Sequence, residues 1–92
     1  MIKSFRHKGL KKFFETGSRS GIQPHHAKRL RMQLAAIETA QNIPDMDIPG
    51  FRLHQLKGSD TGRWSIWVNG NWRLTFEFED AHAHVLDYED YH

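Results

Sequence analysis

The sequence predicts an α+β fold in a single domain, on three observations. Apolar residues recur at helical spacing through the first half of the chain and alternate with polar ones through the second. Between the two regimes lies a loop rich in turn-formers, Asn42-Ile43-Pro44-Asp45-Met46-Asp47-Ile48-Pro49-Gly50, and Asn69-Gly70-Asn71 further on is a hairpin turn of the kind that supplies positive φ. A period of 3.6 lines up one face of a helix and a period of two lines up one face of a strand, so the change of period marks where helices give way to sheet. At 92 residues, without repeats, low-complexity stretches or linkers, the chain makes one domain over 1–92 with an adequate but not generous core.

The first element is a short strand at residues 3–5. Leu10, Phe13, Phe14 and Gly17 then recur on one side of a helix, with Lys8, Lys11, Lys12 and Glu15 on the other and Gly17 as its stop. A second helix spans about residues 24–41, because Pro24 suits a first turn and Ala27, Leu30, Leu34 and Ile37 step by three, four and three along one face. Lys28, Arg29 and Arg31 point elsewhere, so the two helices form a hairpin with one buried stripe and a basic outside.

Strands follow at residues 51–56, 63–68, 72–78 and 83–88, giving the order β-α-α-β-β-β-β and a mainly antiparallel sheet of three to five strands. Alternation puts Trp64, Ile66, Val68, Trp72, Leu74, Phe76 and Phe78 on the core face. It leaves Ser65, Trp67, Arg73, Thr75, Glu77 and Glu79 on the other side. Trp67 is the large ring among them, placed to cap an edge, stack on a base or meet a protein partner.

With no cysteine, the chain has neither a disulfide framework nor a cysteine-ligated zinc site, and it suits a reducing cytosol. No apolar run follows the basic residues near Met1 and nowhere do 18 apolar residues run together, so a soluble, cytoplasmic protein that does not enter membranes is expected. The formal net charge of +2 is unevenly spread: residues 1–31 hold nine Lys and Arg against Glu15 alone, whereas residues 76–92 hold six acids and no Lys or Arg. Such polarity either offers a basic surface to a polyanion or is compensated inside the fold.

Five blocks taken in order resemble the HigB branch of the RelE/ParE toxin superfamily: Ile2-Lys3-Ser4-Phe5, Leu53-His54-Gln55-Leu56-Lys57-Gly58, Gly62-Arg63-Trp64-Ser65-Ile66, Asn71-Trp72-Arg73-Leu74-Thr75-Phe76 and the closing Asp87-Tyr88-Glu89-Asp90-Tyr91-His92. The resemblance implies the RelE-like microbial RNase fold and a ribosome-dependent messenger-RNA endonuclease that inhibits translation. Its implied partners are a HigA-like helix-turn-helix antitoxin, the ribosome with its RNA and message, and operator DNA reached through the antitoxin. It also implies that His54, Lys57, Arg73, Asp90, Tyr91 and His92 carry the activity. The superfamily includes gyrase inhibitors on the same fold, so a gyrase inhibitor and a non-enzymatic nucleic-acid-binding module are the alternatives.

Metal-free RNA cleavage needs a base for the 2′-hydroxyl, cations for the extra phosphorane charge and an acid for the leaving 5′-oxygen, and the six residues include those types. His54 and His92 are proton carriers near neutral pH, Lys57 and Arg73 suit a phosphate, Asp90 orients an imidazole or acts as base, and Tyr91 stacks or donates. His92 is the favoured base, with His54 or Lys57 assisting the leaving group. Lys8, Lys11, Lys12, Lys28, Arg29 and Arg31 are the candidates for ribosomal RNA. The pairs His25-His26 and His82 with His84 are expected to face solvent, and no cofactor or metal is expected.

Overall fold

The computed structural model describes residues 1–58 and 62–91. Its order is helix α1 (Lys8–Thr16), helix α2 (Ala27–Thr39), then strands β1 (His54–Gln55), β2 (Arg63–Asn69), β3 (Trp72–Glu79) and β4 (His82–Asp90). The four strands form one antiparallel sheet in chain order, β1-β2-β3-β4, so the α+β architecture stands as expected. The helices cover one face of that sheet.

Helix α1 starts where the His7 ring nitrogen Nδ1 accepts a hydrogen bond from the Leu10 N–H and stops at Gly17, whose left-handed φ of 81° suits glycine. Leu10 and Phe13 are buried, but Phe14 is 36% exposed and leans on the Phe5 ring instead of entering the core. Near the helix start, a Cβ on Gly9 would lie 2.5 Å from the Gly21 carbonyl oxygen, so two glycines allow α1 to touch the following loop backbone to backbone.

Pro24 opens a single 3₁₀ turn, Pro24–His26, and α2 proper runs only to Thr39, short of residue 41. Ala27, Leu30, Leu34 and Ile37 are buried as their spacing predicts, each large one contributing roughly 1.5–3 kcal/mol through burial. Gln33 shares that face and donates through Nε2 to the Trp67 carbonyl at 2.7 Å, while its buried Oε1 has no hydrogen-bond partner among the described residues.

Two predicted strands shrink. The stretch 3–5 is reduced to isolated parallel bridges, Ile2 with Ala83 and Phe5 with Leu86, along the outer edge of β4. The stretch 51–56 pairs as strand only at His54 and Gln55, because Gly50 and Arg52 both have positive φ, which breaks an extended run. Phe51 instead turns into the core, its carbonyl accepting from the Trp67 N–H.

All seven residues assigned to the core face pack there, Ile66, Val68, Leu74 and Phe76 fully and Trp64, Trp72 and Phe78 at its margin. The other face is not plain surface, for Ser65 and Thr75 on it are completely buried. Strand β4 carries a one-residue bulge between its pairings Asp87 with Thr75 and His84 with Glu77. Val85 sits there at φ 52°, an unusual conformation for a β-branched residue, and the extra residue keeps Ala83, Leu86 and Tyr88 all on the core side. Among the described residues no helix is long and apolar enough to cross a membrane.

Candidate active site

Register decides which predicted residues meet. Trp67 on β2 pairs with Arg73 on β3, and Arg73 pairs with Glu89 on β4, so these three side chains leave the sheet on the side away from the helices. Along the next row, His54 on β1 pairs with Ser65, Ser65 with Thr75, and Thr75 with Asp87, which brings His54 to that same face. Past the end of β4 the Tyr91 N–H donates to the Asn71 carbonyl at 2.8 Å, and the Arg73 guanidinium lies 5.6 Å from the Tyr91 ring centre. Arg73, Tyr91 and His54 therefore share one open face.

His54 is exposed, with Nδ1 3.1 Å from the Arg52 carbonyl. A carbonyl only accepts, so Nδ1 is the donor in this bond and Nε2 points away from it. Lys57 is exposed in the segment leaving β1. Asp90 differs from the others: it pairs with Trp72, whose side chain is on the helix side, and so departs from the opposite face to Arg73. His92 lies outside the described residues.

Beneath Arg73 runs a polar layer that periodicity did not single out. The Arg63 guanidinium donates through Nη2 to the Thr75 hydroxyl at 3.0 Å and to the Val85 carbonyl at 2.8 Å. The Thr75 hydroxyl in turn donates to Glu89 Oε2 at 2.5 Å, and Arg63 Nη1 stands 3.6 Å from Glu77, an ionic contact longer than a hydrogen bond. The signal in the sequence was parity alone, since Arg63 precedes Ser65 by two on a strand. Glu77 consequently pairs with Arg63 and is not the partner of Arg73.

The expectation that His26 faces solvent is overturned. His26 is 2% exposed, with Nδ1 2.5 Å from the Tyr88 hydroxyl, which also accepts from the Gln23 N–H, and the Tyr88 ring stacks on Trp72. Burial, helped by neighbouring His25, holds His26 below the usual histidine value of 6.5. Burial likewise raises Tyr88, against the Gln23 bond, with the Asp90 charge adding to the rise. Both shifts favour the neutral forms, so the short His26–Tyr88 bond joins two uncharged groups.

A folded pKa below the unfolded one means that the unfolded chain binds the proton first, so this pair's stabilisation is complete above about pH 6.5 and is lost as the pH falls below it. Thermal midpoints at pH 7.5 and 5.0 should therefore drop more for the native protein than for a His26→Gln variant. His82 and His84 are half-buried with rings 6.4 Å apart, and no cluster of three or more metal-ligating side chains occurs among the described residues.

Of the basic candidates, Lys8, Lys11, Lys12, Lys28 and Arg31 are exposed on the helices. Arg29 is not a free cation: it donates to the Gly50 carbonyl at 2.7 Å and lies against the Phe51 and Trp67 rings.

Residues 3–92 match the family model described as the RelE-like toxin of the type II toxin-antitoxin system HigB. The chain is 49% identical over 92 residues, the full length of both, to a protein of Proteus vulgaris named Endoribonuclease HigB. It is 34% identical over 85 residues, 90% of each chain, to Toxin HigB-1 of Vibrio cholerae serotype O1 (strain ATCC 39315 / El Tor Inaba N16961).

Proposed function

The chain belongs to the HigB-like, RelE-like toxins of type II toxin–antitoxin systems, and from that premise we propose that it is an endoribonuclease toxin that cuts messenger RNA on the ribosome. The whole-length identity to an endoribonuclease supports the nuclease. The single structural observation that carries the reading is the open sheet face where Arg73, backed by Tyr91, shares a side with His54, whose ring is held by its Nδ1 bond to the Arg52 carbonyl. Arg73 holds the phosphate and offsets the phosphorane charge, its planar fork suiting two oxygens at once. His54, Lys57 and His92 are the groups from which the base and acid are drawn, the 2′-hydroxyl attacking the adjacent phosphate, whereas Asp90 leaves the sheet on the other face.

A site with few functional groups gains from a template that presents the message in a near-attack geometry, which is the physical case for the ribosome. The lysine-bearing helices and the Arg73 face lie on opposite sides of a molecule measuring 29 × 28 × 25 Å, so ribosomal RNA held by those lysines leaves the sheet face clear for the message. A toxin of this kind has an antitoxin partner; we propose one of the HigA-like helix-turn-helix type, through which the complex reaches operator DNA. Purified protein added to programmed ribosomes should cut the message, leave a 2′,3′-cyclic phosphate and keep cutting in chelator. Intact messenger beside blocked gyrase supercoiling would move the assignment to a gyrase inhibitor.

A further inference from the structure

The Trp67 indole is occupied. Arg52 lies with its guanidinium carbon 4.2 Å from the ring centre, Arg29 approaches the same ring at 5.3 Å, and Nε1–H donates to the Gly70 carbonyl. A nucleobase approaching here would meet a guanidinium before it met the indole. This arrangement makes Trp67 a platform for cations, a role beyond the edge cap, base stack or protein contact that its place on the outer face suggested.

The segment carrying Arg52 is moored on both sides. Arg29 binds the Gly50 carbonyl, the Trp67 N–H donates to the Phe51 carbonyl, and His54 takes the Arg52 carbonyl before pairing with Ser65. Between these fixed points Arg52 is held at φ 51°, a left-handed conformation that a non-glycine residue rarely adopts unless its surroundings impose it. Its side chain is nevertheless exposed, and no carboxylate among the described residues pairs with it. Stacking uses the flat face of a guanidinium and leaves its in-plane N–H donors available, so a stacked arginine is pre-organised for an anion at little further entropic cost.

Position supplies the ligand. Trp67 is the register partner of Arg73, so Arg52 stands on the immediate neighbour of the residue that holds the scissile phosphate in the reading above. Across the open face the order is Arg52, Trp67, Arg73, Tyr91, cation and ring in alternation. We propose that Arg52, held rigid on Trp67, is a substrate-binding residue that grips the RNA phosphate adjoining the one cut. The inference rests on the RNA-cleaving assignment and deepens it by naming how a second phosphate of the message is held.

The test is single-turnover cleavage of messenger on programmed ribosomes, with toxin titrated at several salt concentrations. Arg52→Ala should raise the half-saturating toxin concentration about tenfold at an unchanged saturating rate, as loss of a charge-assisted bond made equally in ground and transition states predicts. Its salt slope should become shallower by about one. Arg52→Lys should recover part of the loss, Trp67→Leu should behave like Arg52→Ala although Arg52 is still present, and Trp67→Phe, which keeps a ring but loses the Nε1–H bond to Gly70, should fall between Trp67→Leu and the native protein. If the native protein cuts and both Arg52→Ala and Arg52→Gln match it in half-saturation and salt slope, Arg52 is only a lid on Trp67 and the inference falls alone. If the native protein cuts no message, the functional assignment falls and the inference with it.

Discussion

Replacing Arg73 by alanine is expected to slow messenger cleavage at saturating toxin by about 10²–10³-fold, the range found when one pre-organised transition-state donor is removed. The residue is half-buried between Trp67 and Glu89 in the register, and its guanidinium faces the Tyr91 ring, so its direction is set by neighbours on both sides. In the proposed reaction it meets the charge that develops on the phosphate as the 2′-oxygen attacks, which is why the loss should fall on the saturating rate and not on half-saturation. Arg73→Lys should regain only a small part, because an ammonium acts as a point charge where the guanidinium binds two oxygens in parallel. The side chain makes no contribution to the apolar core, so the thermal midpoint should move by no more than a few degrees. Cleavage by Arg73→Ala at a rate near the native one would remove Arg73 from the chemistry.

Most of the sheet was legible in the sequence because its faces follow from parity, which tolerates errors at strand ends. All seven core-face residues of β2 and β3 and the side taken by Arg73 came from alternation alone. Helical periodicity is coarser: Phe13 and Phe14 both sit near the apolar stripe, and only packing against Phe5 chooses which of them stays outside. His26 was misread for a related reason, since adjacent histidines look equally polar until the Tyr88 hydroxyl arrives from a strand far along the chain.

The candidate site came chiefly from a family resemblance, and the features of its surroundings that the sequence hid are those that depend on local backbone. Ending the last strand at residue 88 concealed the parity of Asp90, which continued pairing with Trp72 places on the helix side. Arg52 gave no signal at all, because its ring contact requires a left-handed residue inside what reads as an extended run. The bulge at Val85 was equally silent, yet its carbonyl is what the Arg63 guanidinium reaches.

That guanidinium leads to the largest expected effect on stability. Arg63 is 7% exposed and ties three strands together on the site side of the sheet: its own β2, β3 through the Thr75 hydroxyl and β4 through the Val85 carbonyl. Methionine in its place keeps most of the stem's volume but removes the donors. The Val85 carbonyl then loses this partner, and the Thr75–Glu89 bond loses the positive charge that polarises it. Glu77 adds little to the account, since its side chain is 53% exposed and its contact is long.

Removing one partner from a buried charged network costs about 3–5 kcal/mol, and the exposure of Glu77 puts Arg63→Met at the lower end, near 3. In a domain of this size each kcal/mol shifts the midpoint by roughly 4–8 °C, so thermal unfolding should occur about 12 °C lower or more. Glu89→Gln in the same background should cost less than it does alone, because the two side chains act through one hydroxyl. A midpoint unchanged or raised by Arg63→Met would mean that apolar filling serves this layer as well as the guanidinium, as happens in some buried ion pairs. The sheet beneath Arg73 would then owe its shape to backbone pairing and the helix-side core alone.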